Sequence, residues 1–210
     1  MKYNAVIFDL DGVICNTDLY HYQAWKKVAD KRNIYFDQEI NHRLRGVSRM
    51  ESLEIILERS QKNYSKEEKQ AIAEEKNNIY QQLLTNMSTK DLSDEVKSTL
   101  DSLRMERIKL AIGSSSKNTK MILKQIGLSD FFDAVSDGTN ISKSKPDPEV
   151  FLKAAGYINE NPSNCLIVED ACAGIEAAYR GGFDSAGIGD AAKNTLVTYP
   201  LSTFSDLLYI

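Results

Sequence analysis

The chain of 210 residues has only three cysteines, Cys15, Cys165 and Cys172, at no regular spacing. An odd and scattered set is not a disulfide framework, and reduced thiols in a cytosol are the simpler reading. There is no excess of positive charge: 26 Lys and Arg stand against 30 Asp and Glu, a formal net charge of −4. Such a chain has no field that would draw nucleic acid or an anionic membrane, so an anionic substrate needs local cations or a metal. No apolar run reaches the length that crosses a bilayer. The opening MKYNAVIFDLDG reads as a core strand running into a carboxylate loop, which leaves no room for a targeting segment. Internal repeats and low-complexity stretches are lacking. The expectation is a cytoplasmic enzyme, monomeric by default, acting on a small molecule. The remainder is ordinary globular composition, 42% hydrophobic and 27% charged, with enough chain for a core and a smaller insertion.

Three short apolar runs each end in a polar loop: AVIF before Asp9, KLAIG before Ser114 and CLIV before Glu169. Unbroken runs of this kind suit strands buried on both faces of a parallel sheet. Helical patterns separate them. KNTKMILKQIGL stops at Gly127, DPEVFLKAAG starts with Asp147 as N-cap and Pro148 in its first turn, and AGIEAAYRGG stops at Gly181 and Gly182. The alternation predicts an open α/β sheet. From about Asn16 to Lys90 the texture is different, rich in Lys, Glu and Gln and without strand runs. HYQAWKKVADK, MESLEIILERS and KEEKQAIAEEKNNIYQQLL are amphipathic helix patterns, and Ser48-x-x-Glu51 and Ser65-x-x-Glu68 are capping boxes. The expected organisation is a core of residues 1–15 and 91–210 with a helical insertion over 16–90, the sheet resuming near Leu92.

Four loops carry candidate chemistry. Asp9 and Asp11, in FDLDGV, repel one another unless a cation or a proton separates them, which favours one as nucleophile and metal ligand and the other as proton carrier. Taken alone, the same loop is an Asp-rich turn. Ser114, Ser115, Ser116 and Asn118 offer hydroxyl, amide and backbone donors to an anion at a helix start, or no more than a Ser N-cap. Lys145, before Pro146 in a bond that can be cis, neutralises a phosphate or lies exposed in a turn. Glu169 and Asp170 suit Mg²⁺, or simply favour a helix dipole. In this order the four supply the parts of phosphoryl transfer together: nucleophile, proton carrier, phosphate clamp and metal ligands.

These loops resemble the four motifs of the haloacid dehalogenase superfamily in its phosphotransferase branch, over essentially the whole chain. Within it, DGVICNTDLYHYQAW, LRGVSRMESL, GSSSKN and SKPDPEVF are similar to the β-phosphoglucomutase family. Cys15-Asn16 and Cys172 are not diagnostic of it. The resemblance implies a Rossmann-like core, a parallel sheet flanked by helices, with a helical cap inserted after the first motif. It implies that Asp9 is phosphorylated and Asp11 is the general acid and base. Thr17 and His21 assist Asp11 near the hinge, and Ser114 and Lys145 clamp the transferring group. It implies Mg²⁺ on Asp9, the carbonyl of Asp11 and Asp170, with Glu169 close by. It places Gly46, Val47, Ser48 and Arg49 on the far phosphate and sugar, with Lys76 facing the substrate and Ser116, Lys117 and Asn118 contacting the sugar phosphate from the core.

A sugar bisphosphate has two dianionic ends, and Arg49 beside the N-cap Ser48 suits the one remote from Asp9, although Arg49 alone is equally a solvated surface residue. His21 is placed to bond Asp11 or to pack on Trp25. His42 is read as surface, and Met121, Trp25, Tyr80 and Phe131 as core. The implied reaction interconverts β-glucose 1-phosphate and glucose 6-phosphate, with β-glucose 1,6-bisphosphate as intermediate and activator. A sugar-phosphate phosphatase on the same fold, or a non-catalytic phosphometabolite-binding protein, are the alternatives.

Overall fold

The computed structural model describes residues 2–210. The apolar runs form a parallel sheet of six strands in the order β3-β2-β1-β4-β5-β6. They are β1 Ala5–Phe8, β2 Lys109–Gly113, β3 Ala134–Ser136, β4 Cys165–Glu169, β5 Asp184–Gly187 and β6 Tyr199–Pro200. β1 is central, pairing Phe8 with Ile112 of β2 and with Val168 of β4. Side chains alternate across its plane. Val6 and Phe8 enter one buried cluster, Ala5 and Ile7 the other. Both faces are therefore covered, as the absence of polar residues in AVIF requires.

On the Val6–Phe8 face lie α5 Asp94–Met105 and α6 Thr119–Gln125, inserting Leu100, Leu103, Ile122 and Leu123. On the opposite face lie α7 Glu149–Tyr157 and α8 Cys172–Arg180, with Phe151, Ala154, Ala177 and Ala178. The inserted helices are α1 Asp18–Asp30, α2 Gln38–His42, α3 Arg49–Leu57 and α4 Lys66–Leu84. They have their own core around Trp25, Phe36, Leu53, Ile56 and Ile72. Both expected capping boxes are formed, at Ser48 with Glu51 and at Ser65 with Glu68. The last turns of α4 leave that cluster: Tyr80 and Leu84 pack with Ile14 and Ala24 in the core beside the sheet. One 19-residue helix thus runs from the inserted layer onto the sheet layer.

Three details differ from expectation. The sheet does not resume at Leu92, because the amphipathic α5 comes first and β2 begins only at Lys109. β3, β5 and β6 are short and contain Ser, Asp, Gly or Pro; their pairing on neighbouring strands, not an apolar run of their own, makes them strands. Helix α7 begins one residue late, with Pro148 as its N-cap, while the Asp147 carboxylate still accepts the Glu149 N–H at 3.0 Å. Among the described residues no helix is long and apolar enough to cross a membrane.

Candidate active site

Asp9 follows β1 directly, and its N–H donates to the Val168 carbonyl at 2.9 Å, so the parallel register puts it beside Glu169. The carboxyl ends of the strands in an open α/β sheet are where such folds gather functional groups. Asp170 closes the cluster against Gly12. A Cβ on Gly12 would lie 2.2 Å from Asp170 Oδ2, and Gly12 holds φ at +88°. Only a residue without a side chain permits both this backbone turn and this approach. Lys145, fully buried at the cis Lys145-Pro146 bond, donates through Nζ to Asp9 Oδ1 and to Glu169 Oε1. Glu169 Oε2 accepts the Ala171 N–H at 3.0 Å, and the bare Gly174 leaves the room that Glu169 occupies.

The electrostatics follow from crowding acids into one partly buried site. Burial, then Asp9, pushes the Asp11 carboxyl up to about 7, against the opposing hydrogen bond from the Thr17 hydroxyl to Asp11 Oδ1. Burial, then Glu169 and Asp9, pushes Asp170 up to about 8. For Lys145 burial acts downward, but Asp9 and Glu169 overcome it and hold the ammonium above its ordinary value. A carboxyl in this range suits proton exchange near neutrality.

Among the described residues no three His, Cys, Asp or Glu side chains form a ready metal cage. Of the expected metal set, Asp9, Glu169 and Asp170 stand close together, with Asp11 near Asp9. Glu169 has both oxygens engaged, by Lys145 and by Ala171. Asp9 and Asp170, two hard carboxylates brought together over Gly12 with their charge incompletely balanced, fit Mg²⁺, which takes one or two carboxylates and keeps its waters.

The inserted helices face this cluster. Gly46, at φ +74°, has no side chain where a Cβ would come within 3.1 Å of Ala171 Cβ, at the start of α8. Ser48 caps α3, and Arg49, at its first position, is half-buried. Burial lowers the Arg49 guanidinium below its ordinary value. Lys76 is buried, its Nζ 2.8 Å from His21 Nδ1 and over the rings of Trp25 and Tyr80. Burial, then the Arg49 charge, holds Lys76 well below its ordinary value, and burial, then Lys76, does the same to His21. The His21 ring lies tilted at 39° against Tyr80, ring centroids 4.1 Å apart, and Thr17 is the residue that bonds Asp11. His42 is exposed, 3.5 Å from Asp190, while Met121 and Phe131 pack at the core.

In the second loop the expected donors are partly spent internally. Ser114 Oγ accepts the Ser116 N–H at 3.1 Å, and Ser116 Oγ accepts the Asn118 N–H at 3.2 Å. Lys117 is exposed. Asn118 is the N-cap of α6, yet its side chain makes no capping bond. It reaches instead to Asn77 and Gln81 of α4. Sequence reasoning missed those two; their signal was a polar i, i+4 pair adjoining Lys76 on one helix. It also missed the buried Asp137 after β3, which accepts the Thr139 N–H at 2.8 Å and shapes the neighbouring loop. An open cleft of about 470 Å³ lies near the hinge, lined by Asn16, Tyr20, Tyr22 and Arg45 among others, but Asp9, Asp11, Glu169 and Asp170 do not line it.

Comparison with known proteins identifies the family. The pattern of the haloacid dehalogenase-like hydrolases matches residues 6–188. The β-phosphoglucomutase of Bacillus subtilis strain 168 is 43% identical over 88% of this chain and 83% of its own. The phosphorylated carbohydrates phosphatase of Thermotoga maritima is 30% identical over 86% and 82%. A crystal structure of β-phosphoglucomutase from Clostridium difficile superposes with a TM-score of 0.91 at 41% identity, covering 98% of this chain and 93% of that one. The chain belongs to the haloacid dehalogenase-like hydrolases, and within them to the β-phosphoglucomutase family.

Proposed function

We propose that the protein interconverts β-D-glucose 1-phosphate and β-D-glucose 6-phosphate by way of a phosphorylated Asp9 and β-glucose 1,6-bisphosphate. The observation that carries the reading is the conjunction of two sites facing one another. Asp9, Asp11 and Lys145 form a transfer site at the sheet; Arg49, with the buried Lys76 near it, supplies a second grip from the inserted helices, which act as a cap. A phosphatase needs the first site. A mutase also needs the second, because its bisphosphate intermediate presents both ends in turn.

In the first half-reaction the 6-hydroxyl of β-glucose 1-phosphate attacks phosphorus on phospho-Asp9. Asp11 takes the hydroxyl proton as the O–P bond forms and the bond to Asp9 breaks. In the second half, the free Asp9 carboxylate attacks the anomeric phosphoryl group of the bisphosphate. Asp11 then gives its proton to the departing sugar oxygen. Thr17 holds one Asp11 oxygen, so the other faces the sugar. Lys145 and the Ser114 loop hold the transferring group, while Gly46, Val47, Ser48, Arg49, Lys76, Ser116, Lys117 and Asn118 grip the far phosphate and the sugar. Asp9 and Asp170, with the Asp11 carbonyl, would hold Mg²⁺, which supplies charge neutralisation at the transferring oxygens. The seated cap excludes water.

The test is a coupled assay for glucose 6-phosphate from β-glucose 1-phosphate, with and without the bisphosphate and Mg²⁺. Formation of glucose 6-phosphate faster than release of inorganic phosphate supports the mutase. Faster release of phosphate from hexose phosphates would make the protein a sugar-phosphate phosphatase.

A further inference from the structure

A chain of amide groups joins Arg49 to the core. Arg49 Nη2 donates to Asn77 Oδ1 at 2.8 Å; Asn118 Nδ2 donates to the same oxygen at 3.0 Å; Gln81 Nε2 donates to Asn118 Oδ1 at 2.8 Å. A guanidinium has donors and no acceptor, so Asn77 must turn its oxygen to Arg49. That choice propagates. Asn118 must turn its amino group to Asn77, its own oxygen is then free to accept, and Gln81 must donate to it. The direction of every bond is set by Arg49, through side chains that are half-buried or buried.

Arg49, Asn77 and Gln81 belong to α3 and α4, whereas Asn118 caps α6. The clasp exists only while the cap sits on the core. Its chemistry is also selective. Asn77 holds Arg49 through a neutral oxygen at the place where an aspartate would form an ion pair. The guanidinium is therefore oriented without being neutralised, and its charge stays available for an anionic group.

We infer that Asn77 and Gln81 are positioning residues of the mutase: they aim Arg49 and Asn118 at the remote phosphate of the substrate and join the two across the seam between cap and core. This rests on the reading of Arg49 as the grip on that phosphate. Asn118 gives up its capping role on α6 for it, which accounts for an N-cap asparagine with no capping bond.

The test is steady-state kinetics with β-glucose 1-phosphate and β-glucose 1,6-bisphosphate on Asn77→Asp, Asn77→Ala, Gln81→Ala, Arg49→Ala and the Arg49→Ala/Asn77→Ala pair, each checked for a native melting transition. Asn77→Asp keeps the shape and supplies the missing carboxylate. It is expected to raise KM at least about tenfold, the scale of one charge-assisted contact, with a much smaller change in kcat. Gln81→Ala moves KM in the same direction. In the Arg49→Ala background, Asn77→Ala is expected to add clearly less than it does in the wild type, keeping only the part that passes through Asn118. Wild-type KM in Asn77→Asp, or equal losses from Asn77→Ala in both backgrounds, overturns the positioning role. Arg49→Ala with unaltered KM would instead refute the phosphate grip itself.

Discussion

Asp170 Oδ2 occupies the space that a side chain on Gly12 would need, 2.2 Å from where its Cβ would be, although 158 positions separate the two in the chain. This contact brings the acidic pair at the end of β4 onto the first loop, and with it Asp170 to Asp9. The proposed chemistry depends on that meeting. Gly12→Ala should therefore cost both stability and activity. The strained φ of +88° and the clash together predict a loss of about 1–3 kcal/mol. Displacing Asp170 by an ångström predicts about a hundredfold lower transfer rate. Urea unfolding and the coupled assay measure the two losses.

The clustered acids make the metal-free protein pH-sensitive in a stated direction. Asp11 and Asp170 titrate at about 7 and about 8 in the fold, against an ordinary value of 3.8. Between those limits the folded state binds more protons than the unfolded one, so their contribution is complete below the ordinary value and is lost as pH rises through 7 to 8. His21 works oppositely, being buried neutral, and costs stability only as pH falls below 6.5. Lys76 works oppositely too, because burial holds it well below its ordinary value, so the acids' loss from pH 6.5 to 8.5 in EDTA should show as a decline of wild-type melting relative to Asp170→Asn, a comparison in which the Lys76 contribution cancels. Mg²⁺ competes with those protons, so its stabilisation should be greater at pH 8.5 than at pH 6.5. At a hundred times Kd it amounts to about 2.7 kcal/mol, roughly 5–10 °C. Thermal melts across pH, with and without Mg²⁺, check both trends.

Lys145 is enclosed between Asp9 and Glu169 with its side chain almost wholly buried. Lys145→Ala would leave two acids facing each other with no ammonium between them. The expected destabilisation is about 3–5 kcal/mol in metal-free protein. Chemical denaturation at pH 7.5 measures it.

How far this was legible in the sequence depends on the range of the interaction. β1, β2 and β4 are largely apolar runs, and Asp9, Ser114 and Glu169 stand at their carboxyl ends. Local pattern therefore located the sheet's centre and the transfer site. β3 and β6 owe their structure to partners elsewhere in the chain and have no such pattern. The same holds at the site. Sequence shows Glu169 only as half of an acidic pair; that Lys145 and the Ala171 N–H each engage one of its oxygens is a fact of packing. Asn118 looked like part of an anion loop, and only the seating of α4 on α6 reveals Asn77 and Gln81 at its side chain.

Asp11→Asn keeps the shape of the Thr17-bonded carboxyl and removes its capacity to exchange a proton. Turnover of β-glucose 1-phosphate should fall by about 10²–10⁴-fold, with binding of a phosphate analogue retained by calorimetry. Wild-type turnover in this variant would remove Asp11 from the proton-transfer role.

The central claim is covalent chemistry at Asp9, and intact-mass spectrometry after treatment with acetyl phosphate and Mg²⁺ tests it most directly. The account predicts a gain of one phosphoryl group, mapped to Asp9 and absent in Asp9→Ala, that disappears when β-glucose 1-phosphate is added. An unmodified Asp9 together with undiminished glucose 6-phosphate formation by Asp9→Ala would contradict it.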